Sequence, residues 1–444
     1  MTELTGWARY PRHETQLVPA SAPAAIRTLL AKCSGSIARG NGRSYGDAAI
    51  GERTTLLTRG LDRMRAFDPE TGLLKVEAGV LLADILTAFV HRGFFPPVVP
   101  GTKFVTVGGM IAADVHGKNH HRHGGFGHHV EELKLVLPGG ETISCSRENN
   151  ADLFAATVGG MGLTGTIIEA TFRLKPIETG WMRQRTVVAA DLDGAMAALR
   201  ETADATYSVA WIDCVARGAS LGRSLIYAAE HATREEIEAL RPGAAAFPPP
   251  KTGRLAVPFD LPAWTLNRWS VGAFNEFYFR RGAAQAGDPF LVHWDPYFFP
   301  LDGIQGWNRI YGRRGFIQHQ CVIPTAAARP TLGAILDRIS RRANPSFLAV
   351  LKQLGGSFGH LSFPLDGYTL ALDLPVTDDV FPLLDEIDRL VVAAGGRLYL
   401  AKDSRQSQAT FEAGYPGLAK FRDIRRAVGA DGCVASRLSA RLGI

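Results

Sequence analysis

The sequence of 444 residues lacks several features that would assign it to a common class of protein. It has no run of about 18 consecutive apolar residues, so a membrane-spanning helix is excluded. It does not begin with the basic and apolar stretches of a secretory signal. It also has no GxSxG elbow, no Walker-type phosphate loop and no cysteine pairs at zinc-site spacing. These absences disfavour hydrolases, phosphate-transferring NTPases and zinc proteins.

Cysteine is scarce, and its distribution argues against a disulfide framework. The five cysteines are odd in number and widely spaced: Cys33, Cys145, Cys214, Cys321 and Cys433. We therefore expect a reducing, cytoplasmic environment.

The charges are nearly balanced, with a net charge of +6. Lysine and arginine are scattered and form no tract interleaved with aromatic residues, so nucleic acid is not an expected partner. The small positive excess suits an anionic substrate or an anionic membrane surface.

Glycine, by contrast, is abundant, with 48 residues. Before residue 180 it separates short predicted strands around a helix at 82–90, a mixture that predicts an α+β fold. After residue 180, segments rich in aromatic residues and proline appear, which places a domain boundary near 180. Beyond that boundary the pattern predicts helices and strands over these ranges: strands 316–323, 368–373 and 397–401, and helices 331–342 and 378–394.

Two glycine-rich stretches are candidates for ligand binding. In 38–47, glycines alternate with small polar residues, so successive main-chain N–H groups can face one way and bind an anion such as a diphosphate. A tight turn between strands explains this stretch equally well. The stretch 100–121 is long, glycine-punctuated and poor in large apolar side chains, which favours a loop against a large flat ligand.

A third stretch matches the GxGxxG dinucleotide motif through Gly160, Gly162 and Gly165. That motif requires a strand before it and a helix after it. Here the preceding residues predict a helix and the following residues predict a strand. The reversed order excludes a Rossmann-type site.

Half of the twelve histidines lie within 14 residues: His116, His120, His121, His123, His128 and His129. Histidine is a common metal ligand, so a noncatalytic metal-binding protein is one alternative. The spacing matches no metal-site signature, however, and we predict no metal. His116 differs from the others because it lies inside the glycine-rich stretch where a ligand would bind.

Four motifs, in this order, resemble the FAD-linked oxidases of the vanillyl-alcohol oxidase and p-cresol methylhydroxylase superfamily, and within it the oxidases of polyprenyl-phosphoryl ribose. They are Gly-Arg-Ser-Tyr-Gly-Asp at 42–47, His-Gly-Lys-Asn-His-His at 116–121, Gln-His-Gln-Cys-Val-Ile-Pro at 318–324 and Ala-Lys-Asp-Ser-Arg at 401–405, with Trp-Asn-Arg at 307–309. The resemblance implies a two-domain α+β fold with an antiparallel-sheet substrate domain. The implied limits are an FAD-binding domain at 1–180, a substrate domain at 181–396 and a C-terminal segment at 397–444 that returns to the first domain.

The resemblance also implies which residues contact FAD. They are Arg39, Gly40, Asn41, Gly42, Arg43, Ser44, Tyr45, Gly46, Asp47, Ala48, Gly101, Thr106, Val107, Gly108, Gly109, Ala113, Asp114, Val115, His116, Ile167 and Tyr399. Many members of the superfamily tether FAD covalently through a histidine of the first glycine loop. This chain has Arg43 at the corresponding place, with Tyr45 nearby, so we expect noncovalent FAD.

The implied substrate-binding residues are Trp211, Gln318, Gln320, Lys352, Ala371 and Lys402. Lys402 is the first candidate either to accept the hydroxyl proton or, as an ammonium, to stabilise the developing alkoxide. His116 is the rival base or a flavin-side donor, and Tyr45 completes the implied catalytic set. The family commonly has cysteine where this chain has Ala371 and asparagine where it has Thr369.

The implied reaction is oxidation of the 2′-hydroxyl of polyprenyl-phosphoryl-β-D-ribose to the 2′-keto product, the first half of an epimerisation to the arabinose donor of the cell envelope. The alternatives are an FAD-dependent oxidase of a soluble sugar, alditol or aldonolactone, and a noncatalytic flavin- or metal-binding protein. A short-chain reductase is the implied partner enzyme. A lipid-linked sugar phosphate implies work at the membrane surface, with the periplasm left open. Aromatic residues of 256–300 would form either a flap that meets lipid or ordinary core.

Overall fold

The computed structural model describes residues 1–32, 35–250, 255–342 and 346–444. The strands are, in chain order, β1 (Thr2–Thr5), β2 (Arg12–Pro19), β3 (Ser36–Arg39), β4 (Thr54–Leu57), β5 (Met64–Phe67), β6 (Leu73–Glu77), β7 (Phe94–Phe95), β8 (Val130–Val136), β9 (Thr142–Ser146), β10 (Thr166–Arg173), β11 (Lys175–Pro176), β12 (Trp181–Ala189), β13 (Tyr207–Ile212), β14 (Ser224–His231), β15 (Leu255–Ala256), β16 (Phe290–His293), β17 (Ile304–Gln305), β18 (Phe316–Pro324), β19 (Ala349–Leu354), β20 (Gly367–Pro375) and β21 (Arg397–Leu398).

The helices are α1 (Pro23–Ala31), α2 (Leu82–Phe89), α3 (Val107–Ala112), α4 (His120–His123), α5 (Ala151–Thr157), α6 (Leu192–Glu201), α7 (Arg234–Leu240), α8 (Arg268–Ala283), α9 (Trp294–Phe298), α10 (Thr325–Ser340), α11 (Val380–Ala393), α12 (Gln408–Gly414), α13 (Leu418–Ala427) and α14 (Arg437–Leu442). Turns of 3-10 helix lie at Val90–Arg92, Phe126–His129, Gly218–Ser220, Ala263–Thr265 and Trp307–Tyr311.

The strands before residue 180 form sheets of their own. One has the order β1-β2-β4-β3, with β2 and β3 parallel to β4, and a second has the order β5-β6-β10-β8-β9. The glycine motif at 160–165 joins α5 to β10. The helix therefore precedes the motif and the strand follows it, as predicted, so the Rossmann interpretation is excluded.

Eight of the strands after residue 180 build one large sheet with the order β16-β12-β14-β13-β19-β20-β18-β21, and β15 pairs separately with β17. Every neighbouring pair in the large sheet is antiparallel. One face is apolar: Ile317, Cys321 and Leu370 pack with side chains of α6, α10 and α11 into a second hydrophobic core. Because side chains alternate along a strand, the residues between these face the opposite side.

The C-terminal segment lies against the first glycine-rich loop. The Tyr45 N–H donates to the Ala401 carbonyl at 2.9 Å, and Ser36 forms a bridge with Val434. Arg441 of α14 binds the Asp47 carboxylate at 2.9 Å. These contacts join the two ends of the chain, whereas β21 still pairs with β18 of the large sheet. The proposed domain limits stay predictions.

Three sequence predictions need correction. Cys433 is disulfide-bonded, so the expectation of fully reduced cysteines is wrong there; Cys33 lies outside the described residues, and Cys145, Cys214 and Cys321 are free and buried. Helix α10 begins at Thr325, before the predicted 331, and contains Pro330. The last strand ends at Leu398 instead of 401.

Candidate active site

The first glycine-rich loop follows β3 and leaves a row of main-chain donors unused. None of the N–H groups of Asn41, Gly42, Arg43 and Ser44 donates a hydrogen bond within the described part of the chain. The loop is partly exposed, so a ligand can reach these groups. Successive free N–H groups of this kind form a concavity that binds anions.

The second glycine-rich stretch approaches this loop at the start of α3. A Cβ atom on Gly40 would lie 2.1 Å from the Thr106 hydroxyl oxygen, so only glycine permits this approach. The Asn41 amide donates to the Phe104 carbonyl at 2.7 Å. Thr106 in turn caps α3 by accepting from the Gly109 N–H at 3.2 Å.

The C-terminal segment supplies the other side of the site. The Tyr399 hydroxyl donates to the Ala113 carbonyl at 2.9 Å, and its ring lies 5.1 Å from the His116 ring. A Cβ atom on Gly46 would lie 1.9 Å from the Asp403 carbonyl oxygen, so the first loop packs directly on this segment. Residues far apart in sequence thus border one region.

The polar face of the large sheet closes the region opposite these loops. Gln320 stands opposite Ala371 in the β18–β20 pair, Ala371 opposite Val350, and Val350 opposite Trp211. Opposed residues share a face, so these four form one row across four strands. Trp211 is three strands from Gln320, or about 14 Å at the usual strand spacing.

A chain of hydrogen bonds fixes the tautomer of His116. The Thr369 hydroxyl donates to the Cys321 carbonyl at 2.8 Å, so its oxygen accepts from the Gln320 amide at 3.1 Å. The same amide lies 2.8 Å from His116 Nε2. An amide nitrogen only donates, so Nε2 must be the acceptor and the ring proton sits on Nδ1. That Nδ1 atom is buried and has no partner among the described residues.

His116 is electrically neutral in this arrangement. Burial lowers its pKa well below the ordinary value, and the positive charge of Lys352 lowers it further. A neutral ring with a proton on Nδ1 is a hydrogen-bond donor and not a general base at that atom.

Lys402 is partly buried and lies beside the first loop. Its Nζ lies 3.5 Å from the centre of the Tyr45 ring, a cation–π contact. Burial lowers the pKa of Lys402 far below the ordinary value; the carboxylate of Asp373 opposes this shift, and Lys352 adds to it. Burial raises the pKa of the Tyr45 hydroxyl well above 10, so that hydroxyl stays protonated.

Asp373 is a site residue that the sequence interpretation missed. It accepts a hydrogen bond from the Gln318 amide, and burial raises its pKa while Gln318 and Lys402 lower it. The signal was present in the sequence: positions 369, 371 and 373 of one strand alternate onto the same face.

Lys352 and Lys118 add positive charge to the same region. Lys352 stands opposite Thr369, and burial lowers its pKa to about 8. Lys118, to which sequence analysis assigned no role, donates to the Phe298 carbonyl at 3.1 Å; burial and Lys352 lower its pKa to about 7.

Several predicted cofactor residues have side chains that contact other parts of the protein. The Asp47 carboxylate is bound by Arg441, and the Asp114 carboxylate accepts from the Gly127 N–H and the Ser362 hydroxyl. Ile167 packs into the first hydrophobic core along with the side chains of five other predicted residues: Ala48, Val107, Ala113, Val115 and Tyr399. Gly101 has no atom within 4 Å of the position that a Cβ would take.

The histidine cluster forms no metal centre among the described residues. His120 accepts from the Gly355 N–H at 3.0 Å, and burial lowers its pKa to about 3. His121 and His129 bind the Ala205 and His123 carbonyls. Most of these rings therefore tie loops together.

Comparison with known proteins decides the family. Residues 18–146 match a family described as an FAD binding domain. The chain is 36% identical to a decaprenylphosphoryl-beta-D-ribose oxidase from Mycolicibacterium smegmatis, over 99% of this chain and 97% of that protein. This chain belongs to the decaprenylphosphoryl-beta-D-ribose oxidase family. Partial similarity extends to cytokinin dehydrogenase 9 from Oryza sativa subsp. japonica, 33% identical over 33% of this chain and 29% of that protein.

Membership of this family makes the chain an FAD-dependent oxidoreductase and confirms the predicted fold class and cofactor. The structure fits FAD by two independent features: the row of unused N–H groups at 41–44, and the unpartnered Nδ1 of His116. A cavity of about 640 Å³ borders the first loop at Arg39 and Gly42, within the usual size of a ligand site.

The first loop is also supported by a part of the chain that sequence analysis did not assign. The Arg43 guanidinium lies 3.9 Å from the centre of the Trp7 ring, and the Trp7 carbonyl accepts from the Asn308 amide at 2.9 Å. The family motif at 307–309 thus holds the N-terminal segment against the loop. Because these contacts join residues that are far apart in the chain, no local sequence pattern predicts them.

Proposed function

We propose that this chain oxidises the 2′-hydroxyl of a polyprenyl-phosphoryl-β-D-ribose to the 2′-keto product, with noncovalently bound FAD. The observation that carries the proposal is the meeting of Lys402, His116 and Gln320 with the first glycine loop on the polar face of the large sheet. The name of the M. smegmatis relative, a decaprenylphosphoryl-beta-D-ribose oxidase, supports the substrate class.

The chemistry that FAD supplies when bound is acceptance of the hydride from the carbon that bears the hydroxyl. The remaining task of the chain is to take the hydroxyl proton. A lysine amine can do this only in its neutral form, and burial makes that form accessible to Lys402. The carboxylate of Asp373 then stabilises the ammonium that results.

Two residues orient the sugar in this proposal. Gln318 and Gln320 are two residues apart on β18 and therefore lie on the same face, so we assign both side chains to the sugar hydroxyls. His116 presents its Nδ1 proton as a donor, so we assign it the flavin-side or substrate-side donor role and not that of the base. Gln320 and Thr369 hold it in that state.

The positive charge near Lys352 suits the phosphate of a lipid-linked sugar. We assign the phosphate to Lys352, which lies opposite Thr369, next to the row that contains Ala371 and Trp211. A polyprenyl tail would continue beyond Trp211.

Noncovalent FAD follows from the chemistry of the first loop. Residues 39–48 contain no histidine and no cysteine. Arg43, at the place of the tethering histidine, is engaged with Trp7. We expect the cofactor to leave the protein on acid or heat denaturation and to remain in the supernatant.

Two further parts of the proposal concern partners. A 2′-ketone must be reduced to complete an epimerisation, so we propose a short-chain reductase as the next enzyme. A lipid-linked substrate also implies contact with a membrane surface. No helix in the described part of the chain is long and apolar enough to cross a membrane.

Anaerobic bleaching of the flavin absorbance tests the function. We expect polyprenyl-phosphoryl ribose to bleach the purified holoprotein and free ribose, alditols and aldonolactones to leave it yellow. Bleaching by the free sugars alone would favour the alternative of a soluble-sugar oxidase. A colourless protein that carries metal would contradict both.

A further inference from the structure

Helix α8 and the segment that leads into it carry unusually many exposed aromatic side chains. We call this set the aromatic face: Trp269, Phe274 and Phe277 on the helix, with Phe259 and Trp264 before it; the exposed fractions of Trp264, Trp269 and Phe277 are 75%, 85% and 64%. By contrast, the aromatic side chains further along the predicted aromatic segment, Trp294, Tyr297, Phe298 and Phe299, are buried in the core. Single exposed hydrophobic residues are common, but a cluster of this size marks an interaction site.

The face belongs to a helix that is firmly attached to the large sheet. A Cβ atom on Gly282 would lie 2.2 Å from Leu225 Cδ1, so the helix packs closely on β14. The Asn275 amide donates to the Asp213 carboxylate at 2.7 Å. The exposed side of α8 is therefore a fixed surface and not an unpacked segment.

The inner side of the same helix reaches the substrate row. The Tyr278 ring lies 4.9 Å from the Trp211 ring, and the Tyr227 hydroxyl donates to the Tyr278 hydroxyl at 3.1 Å. Phe274, one turn before Tyr278, stacks on the Tyr278 ring at 6.0 Å, whereas Phe277 points outward and is mostly exposed. One helix thus separates the proposed lipid path at Trp211 from the aromatic face.

The charge around the face is positive. Residues 255–284 contain three arginines and two carboxylates. Arg9 binds Asp260, and Glu276 is bound by Arg223 and by Arg280 of α8 itself. Arg280 and Arg281 are exposed at the end of α8, about 18 Å from Trp269 at the helical rise.

We infer that the aromatic face is the surface by which this protein docks on an anionic lipid bilayer. Indole rings favour the boundary between headgroups and acyl chains, and flanking arginines are attracted to anionic lipids. A second copy of this chain would bring arginines of like charge together, so the bilayer is the better match. The inference rests on the proposed lipid-linked substrate, which such docking would deliver next to Trp211.

Vesicle co-sedimentation of the FAD-loaded full chain tests the inference. We expect binding to vesicles of equal parts phosphatidylcholine and phosphatidylglycerol, and much weaker binding to phosphatidylcholine alone. The double variant Trp264→Ser/Trp269→Ser should lose about tenfold or more of the affinity. The matched control Met64→Ser/Leu240→Ser removes exposed apolar side chains elsewhere and should bind as the wild type does.

Charge is tested separately with Arg280→Gln/Arg281→Gln. This variant should bind the mixed vesicles about 30-fold more weakly and lose part of the salt dependence, since each of the two arginines contributes about 1 kcal/mol at an anionic surface. FAD content and the far-ultraviolet circular dichroism of every variant report whether it has folded.

The inference is overturned if the wild type ignores the mixed vesicles, or if the tryptophan variant binds them equally well. It is also overturned if light scattering shows a dimer that this variant dissociates, because the face would then join two copies. None of these assays involves substrate. Bleaching by a short-chain, water-soluble phosphoribosyl analogue separately reports whether the proposed function holds.

Discussion

The two faces of the large sheet are built by the same strands and differ in almost every property. On β20, Leu370 and Leu372 face helices α10 and α11 and are fully buried in an apolar core. Thr369 and Asp373, their neighbours in sequence, face the loops of the first part and make hydrogen bonds with Gln320 and Gln318. One face stabilises the fold by burial, and the other holds polar groups in position.

Burial of ionisable groups on the polar face costs free energy of folding, because each group loses its hydration and needs a partner in the protein. Lys402 and Asp373 lower that cost for each other, and Gln318 adds a hydrogen bond. The apolar face has one such group as well: His319 bonds to Asp388 at 2.9 Å, and Asp388 bonds to Arg405. This network ties β18 to α11 and to the C-terminal segment. Because the two faces differ, we predict that a substitution on the polar face changes the rate of flavin reduction. A substitution on the apolar face, one residue away, should instead change the free energy of unfolding.

The largest expected effect comes from Lys402→Met on the polar side. Removing the amine while keeping the side-chain length should lower the rate of flavin reduction by about 10²- to 10⁴-fold, the usual contribution of a general base. Anaerobic stopped-flow bleaching gives this rate, and the FAD content of the variant is the control. A variant that retains FAD and reduces at the wild-type rate would remove Lys402 from the mechanism.

Leu370→Ala tests the apolar face of the same strand. The cavity should lower the free energy of unfolding by about 2–5 kcal/mol, because the side chain is fully buried among core residues. Urea unfolding followed by circular dichroism measures this loss. Leu370→Met, which preserves volume, should cost less than about 1.5 kcal/mol. Turnover per bound FAD should stay near the wild-type value, and a selective loss of turnover would break the distinction between the faces.

Sequence alone predicted the elements whose signals are local. The helix at 82–90, the strands at 316–323 and 368–373 and the reversed glycine motif depend on periodicity and neighbouring glycines, and the structure confirms them. Helix α10 was predicted to begin at 331, whereas it begins at Thr325 and includes Pro330.

The site was predicted less completely, because it is assembled from distant segments. Lys402 alone would have been taken for a solvated strand-end lysine; only the fold shows it partly buried beside Tyr45 and Asp373. Trp7 and the disulfide at Cys433 have partners that no spacing rule identifies. Because side chains alternate along a strand, Asp373 could have been predicted to share a face with Ala371, two residues earlier. No local sequence pattern indicates that Trp7 contacts the first loop.

The dependence of kcat/KM on pH tests whether Lys402 and Asp373 act as a pair. Only the neutral amine accepts a proton, so kcat/KM should rise with pH and level off above the pKa of Lys402, which burial places well below 10.5. Asp373 raises that pKa. Asp373→Asn keeps an acceptor for Gln318 but removes the charge, so the inflection should move to lower pH by about one unit or more. A profile that shifts upward, or not at all, would contradict the pairing.

The smallest expected effect is that of Thr369→Val, which removes one hydroxyl from the polar face. In the variant the Gln320 amide loses the Thr369 hydroxyl as an acceptor, and this hydrogen bond fixes the orientation of the amide. The orientation of the amide in turn keeps the proton of His116 on Nδ1. One neutral hydrogen bond contributes about 0.5–1.5 kcal/mol, so flavin reduction should slow by about two- to tenfold, and Thr369→Ser should restore it. If Thr369 acts only through Gln320, the losses of Thr369→Val and Gln320→Leu should not add in the double variant. Full additivity would mean that the hydroxyl acts on the site by another route, and the tautomer of His116 would then have to be set by a group other than Thr369.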